Sequence, residues 1–162
     1  MYTDRIIDQI LVAWEKENKS VTNFFSAYPD EFYSKELAPG KNRAIYLLGH
    51  LIAVNDGLLP LFGLSERLYP EYENIFIRSA DHAVENIPSI GELKTQWKNI
   101  NQVLEGHFNK MSADDWMSRH NSVPPADFER EPWRNKLNVI LNRTSHQSYH
   151  FGQLVLMKEK AD

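Results

Sequence analysis

Apolar residues return along this chain every three or four positions, a spacing that predicts helices. Ile6, Ile10, Trp14, Val21 and Phe24 form a first stripe ending near Tyr28-Pro29, and residues 29–40 read as a connection. A second helix is expected from about Pro39-Gly40 to Gly63. In it Ala44, Leu47, Leu51, Val54, Leu58 and Leu61 alternate spacings of three and four, as in the seam of a bundled helix. Pro60 falls in its last turns and is expected to kink them. Residues 64–88 read as a long connection with Pro70 and Pro88, holding a short helix over Tyr72 to Ala83. Ser89-Ile90-Gly91-Glu92 then has the spacing of a capping box. Leu93, Trp97, Ile100, Leu104 and Phe108 carry a third helix on to about Met111. After a polar segment with Pro124-Pro125, a fourth helix is expected from near Pro132 to about Lys158. Leu137, Ile140, Leu141, Leu154 and Val155 supply its core positions. There is no strand-like alternation of useful length, no internal repeat and no low-complexity tract. The fold class is therefore all-α, a single four-helix bundle domain over residues 1–162 with a long connection between the second and third helices.

Composition narrows the function. At 162 residues the chain fits one domain with a sizeable core. Its net charge of -4, with no run of Lys or Arg, offers no electrostatic footprint for nucleic acid or an anionic membrane. The segment from Ala44 to Leu64 is long and apolar enough to span a bilayer, but His50, Asn55 and Asp56 lie inside it. A central Asp alone costs about 2.5–3.5 kcal/mol on insertion scales, and the apolar residues read as a one-sided stripe, so a bundle helix is expected. The absence of cysteine removes disulfides, thiolate ligands and a cysteine nucleophile. With no signal-peptide pattern at the start, the expected location is the cytoplasm.

Large aromatics are numerous: Trp14, Phe24, Phe25, Phe32, Tyr33, Trp97, Trp116 and Trp133. Some are expected outside the core seam. Phe24 and Phe25 in particular are adjacent and do not both fit one stripe, which marks the first helix as a candidate surface for pairing.

The chemistry lies in the histidines. His146 and His150 are four apart, so a helix puts both imidazoles on one face, where two rings can converge on one ion. His50 lies beside Leu47, Val54 and Leu61, at the inner edge of the second helix. Taken singly, an HxxxH pair reads as a surface pair and one buried histidine as a satisfied core residue. Three histidines at the inner edges of two helices point to a metal site. His107 could face inward and is the one spare ligand; His82 and His120 fall in connections.

Gly49-His50-Leu51 together with His146-Gln147-Ser148-Tyr149-His150-Phe151-Gly152-Gln153-Leu154 resembles the DinB-like (YfiT-like) metalloenzymes, over nearly the whole chain. The resemblance implies a four-helix bundle that departs from simple up-down-up-down order. It also implies a divalent metal held by His50, His146 and His150, and a homodimer. It implies activities such as thiol-dependent transfer or isomerisation with a low-molecular-weight thiol, or hydrolysis. The family often has histidine where Tyr149 stands, a position pointing away from the pair's face.

Three imidazoles suit zinc or nickel first, then iron or manganese. They leave one coordination position open, for water, a substrate oxygen or an external thiol. Neutral ligands leave the ion doubly positive, which favours an anionic fourth ligand. Asn142 and Gln153 are candidates to orient such a ligand or support a histidine, and Arg43, two turns before His50, is a candidate carboxylate clamp. The leading expectation is a metal-dependent enzyme, a thiol-dependent transferase or hydrolase, acting on a small molecule. The alternative is a non-catalytic bundle whose metal is structural or incidental. No nucleophile elbow, phosphate loop or dinucleotide fingerprint is present, and neither are the Glu-x-x-His pairs of di-iron bundles.

Overall fold

A computed structural model of the protein describes residues 2–158. Among them are seven α-helices and no strand: α1 (Tyr2–Phe24), α2 (Ala44–Asp56), α3 (Leu58–Phe62), α4 (Ile90–Phe108), α5 (Ala113–Met117), α6 (Pro125–Arg130) and α7 (Lys136–Val155). A 3₁₀ turn over Asp30–Ser34 and a π-helical turn over Asn74–Arg78 complete them. The four long elements are α1, α2 with α3, α4 and α7, which is the expected bundle. The capping box at Ser89 and Glu92 forms as predicted. The fourth helix starts at Lys136, capped by the Asn135 side chain, a few residues after the expected Pro132. The second begins at Ala44 and is interrupted at Gly57. Pro60 has no N–H for the Asp56 carbonyl, which accounts for the break.

Neighbours along the bundle show its topology. Trp97 bonds Thr22 and Phe108 packs on Trp14, so α4 runs antiparallel to α1. Asn55 bonds Asn101, and Phe62 packs on Phe108, so α2–α3 and α4 run parallel. A parallel pair needs a connection that travels back along the bundle, and residues 63–89 do so. Its course is stapled to α2 at three heights. At the far end of α2, buried Asp56 accepts hydrogen bonds from the Leu68 and Tyr69 N–H groups (2.7 and 3.2 Å) and has Arg67 3.8 Å away. In the first turn of α2, the Tyr46 hydroxyl donates to the Ser79 carbonyl at 2.6 Å and shares its proton with the Phe76 carbonyl at 3.3 Å. At the start of α2, the Arg43 backbone and guanidinium grip Asp81. The expected helix over Tyr72 to Ala83 is in fact the shorter π-helical turn.

Four expectations about faces are corrected. On α1, Ile6 is 54% exposed and Ile7 is buried in its place. Ile7 is two turns from Trp14 and only about 20° off its direction, whereas Ile6 is about 80° off. On α7, Leu141 is exposed. The apolar residues of α2 do not form a one-sided stripe: from Ala44 to Asp56 every residue except His50 is buried. Residues Ala44–Phe62 are long and apolar enough to cross a membrane, and 72% of that stretch is buried inside the bundle. Lastly, Phe24 and Phe25 are both buried, because the chain leaves α1 at Phe24 and folds Tyr28, Phe32 and Tyr33 around the two rings. They form one aromatic plug at one end of the bundle; Trp14, Phe62, Phe108 and Trp116 form another at the opposite end. Of the eight large aromatics only Trp133 is exposed, so Phe24 and Phe25 give no reason for pairing.

Asp56→Ala would strand two backbone N–H groups and leave the Arg67 guanidinium to Glu73 and the Ala53 carbonyl. It is expected to cost about 3 kcal/mol. Urea unfolding measures it; a loss below about 1 kcal/mol would show that the connection is held without this staple.

Candidate metal centre

His146 and His150 project from α7 and His50 from α2, into the seam between those helices. Their rings come together as expected. His146 Nε2 lies 3.3 Å from His50 Nε2 and 3.0 Å from His150 Nε2, and one ligand atom from each histidine lies within 4.8 Å of the others. A tetrahedral ion with Zn–N bonds of about 2.0–2.1 Å separates its nitrogens by about 3.3–3.4 Å. The two spacings to His146 match that edge to within a few tenths of an ångström.

The remaining ring nitrogens explain the aim. His50 Nδ1–H donates to the Phe76 carbonyl at 2.8 Å, and His150 Nδ1–H donates to Gln153 Oε1 at 2.8 Å. Gln153 Nε2 donates in turn to the Tyr149 hydroxyl. Each acceptor can take only a proton from its histidine, so both rings carry hydrogen on Nδ1 and present the Nε2 lone pair inward. His146 Nδ1 is buried with no partner. His146 Nε2 faces the Nε2 atoms of both other rings, and three ring nitrogens meeting this closely have the arrangement of a metal ligand set.

Electrostatics agree. Burial depresses the basicity of all three rings. His146 falls to about 4, through burial first and then the charges of His150, His50 and Arg143. The rings are therefore neutral near neutral pH, the form that binds metal.

Gly49 and Phe76 are the functional residues that sequence reasoning missed. A Cβ on Gly49 would stand 2.3 Å from the Phe76 ring. Only glycine lets that ring lie against α2, and the ring's position brings the Phe76 carbonyl to His50. The π-helical turn matters for the same reason, since its closing bond runs from Ser79 N–H to the Asn74 carbonyl and leaves the Phe76 carbonyl to side chains. A glycine beside a candidate ligand was the available signal.

Of the supporting residues proposed from sequence, Gln153 does support a histidine. Asn142 is exposed. Arg43 does clamp a carboxylate, but it is that of Asp81, at 2.6 Å. Burial pushes the Asp81 carboxyl up; the Arg43 hydrogen bonds more than offset this and hold it below the usual range. Arg43 is thus committed to the fold. His107, on α4, is not in the three-histidine group, and no fourth His, Asp or Glu joins it among the described residues. His82, at the exposed end of the connection, and half-buried His120 are likewise outside. Tyr149 is 63% exposed, as its position off the ligand face requires. A cavity of about 380 Å³ adjoins His150, lined by Leu37, Lys41, Leu47, Tyr149 and Gln153. A larger cleft of about 490 Å³ lies between α1 and α4 and touches none of the three histidines.

Fold and site together define a helical bundle with a three-histidine group suited to one metal ion. The DinB superfamily model matches residues 13–154, and the chain belongs to that superfamily. No curated protein matches it in sequence.

Two outcomes test this geometry. Gly49→Ala is expected to displace Phe76, lower the melting temperature by several degrees and weaken metal binding at least tenfold, with the histidines untouched. Unchanged metal affinity in a folded Gly49→Ala protein would show that the Phe76 contact does not position His50. For pH, the folded rings hold protons less well than the unfolded chain. The metal-free protein should therefore lose stability as pH falls from about 6.5, the ordinary histidine value, towards about 4, where His146 titrates. Melting of metal-free protein across that range checks it; flat stability would contradict the buried neutral rings.

Proposed function

We propose that this protein is a metal-dependent enzyme acting on a small molecule, with His50, His146 and His150 as the ligands of one divalent ion. The observation that carries the reading is the convergence of three imidazoles, with the Phe76 carbonyl fixing the His50 tautomer and Gln153 holding His150 against His146. Zinc or nickel suits such a set best, with iron or manganese next. A bound ion supplies Lewis acidity, polarising a substrate oxygen or acidifying whatever ligand takes its open position. The chain's own residues do the rest. The histidines leave a coordination position free of protein, and the cavity beside His150 gives a small substrate access to it. Lys41 and Tyr149 line that approach and offer it hydrogen-bond donors. Because the chain has no cysteine, thiol chemistry here needs an external low-molecular-weight thiol. Transfer with such a thiol and hydrolysis are the two reaction classes this site serves. The lack of a fourth protein ligand among the described residues favours catalysis over a structural metal, whose sites are closed. A homodimer remains part of the proposal from the family; Tyr2, Ile6 and Val12 are the exposed apolar residues of α1 for such a contact.

The test is metal content and turnover together. Purified protein is expected to carry about one ion per chain. His50→Ala, His146→Ala and His150→Ala should each lose most of it while keeping the helical circular dichroism spectrum. Metal-loaded protein should turn over in a screen of small thiols with electrophiles, or of esters and amides. Undiminished metal in all three variants would refute the ligand set. Absence of turnover, with metal removal only lowering the melting temperature, would favour the structural role.

A further inference from the structure

Arg143 sits on α7 one turn before His146 and two before His150, so helical geometry puts it on the ligand face. It is half-buried, its Nε is shut off from solvent with no hydrogen-bond partner, and it has no ion pair among the described residues. Its charge reaches the site, where it adds to the depression of both His50 and His146, behind burial and the other rings. Every other half-buried arginine among the described residues is spoken for: Arg43 by Asp81, Arg67 by Asp56 and Glu73, and Arg134 by Glu131.

A half-buried guanidinium without a counter-ion is costly, and it is more so beside three histidines that collect a divalent cation. With an ion bound, the centre would carry three positive charges and no carboxylate from the protein. The imbalance is relieved if the missing negative charge arrives with the ligand.

We propose that Arg143 is the anion-recognition group of this site, binding the carboxylate of a small substrate whose second donor atom takes the open metal position. The inference rests on the metal-centre reading above and adds the substrate class, a short carboxylate carrying a neighbouring thiol or hydroxyl. Guanidinium and carboxylate match as a two-pronged pair, so the group fixes orientation as well as charge. Along α7 the guanidinium lies before His146, while the cavity lies beside Tyr149, His150 and Gln153. A ligand seated among the histidines lies between them.

The experiment uses cobalt(II)-loaded protein and two thiols that differ in the carboxylate, mercaptoacetate and 2-mercaptoethanol. Binding is followed by the cobalt–thiolate absorption. Wild type should prefer mercaptoacetate. Arg143→Gln should weaken mercaptoacetate by about tenfold or more and leave 2-mercaptoethanol unchanged, with Arg143→Lys in between. Cobalt affinity should stay equal or rise in Arg143→Gln, since a repelling charge is removed; a purely structural arginine would lower it. Equal losses for both thiols, or no binding of mercaptoacetate to cobalt-loaded wild type, would overturn the inference and leave the metal centre standing. Failure of wild type to take up cobalt would remove the metal centre and the inference with it.

Discussion

The hydrogen bond from His50 to the Phe76 carbonyl ties the fold to the site. One ring nitrogen is occupied by the backbone of the long connection, so the other is free and aimed. For that carbonyl to be in place the connection must run close along α2. Three things bring it there: the Asp56 staple at one end, the Arg43–Asp81 pair at the other, and the missing side chain of Gly49 between them. The parallel order of α2 and α4 requires a long return path, and the same path supplies the acceptor. Topology and ligand orientation are thus two results of one segment.

The second determinant is charge. The α2–α7 seam holds basic groups and no acidic one: three imidazoles made poor bases by burial, and a guanidinium with nothing to answer it. Asp56 and Asp81, by contrast, each have an arginine beside them. A seam left electropositive, with its guanidinium unpaired, suits an anion that is not protein. The apolar packing at the two ends of the bundle carries the stability that such a seam does not contribute.

Much of this could be read from residues alone. His146 and His150 share a face by spacing, and His50 stands among apolar neighbours, so the three-histidine group is legible in the sequence. The long helices were visible for the same reason. The errors have physical causes. Taking Ile6 in place of Ile7 followed spacings of four, which drift around the helix, when Trp14 and Val21 mark a seven-residue line. Phe24 and Phe25 looked incompatible with one stripe, but a chain that leaves its helix at that point buries both. Arg43 gave no hint of Asp81, thirty-eight residues away, because such pairs depend on the course of a connection. Gly49 was noticed only as part of a motif; its purpose needs the ring that occupies its empty side. Arg143 lay on the histidine face at a readable spacing, and it passed unnoticed because an arginine on a helix is ordinarily a solvated residue.

The all-round burial of α2 also bears on how the protein is made. A chain synthesised from its N-terminus presents the apolar stretch Ala44–Phe62 before α4 and α7, the helices that cover it, have emerged. For that interval the nascent chain displays a segment that membrane-insertion machinery and holdase chaperones are built to recognise. His50, Asn55 and Asp56 then act a second time, as polar interruptions that weaken membrane insertion until the rest of the bundle closes. His50 and Asp56, a candidate metal ligand and a staple in the finished protein, are during translation polar interruptions of its most apolar stretch.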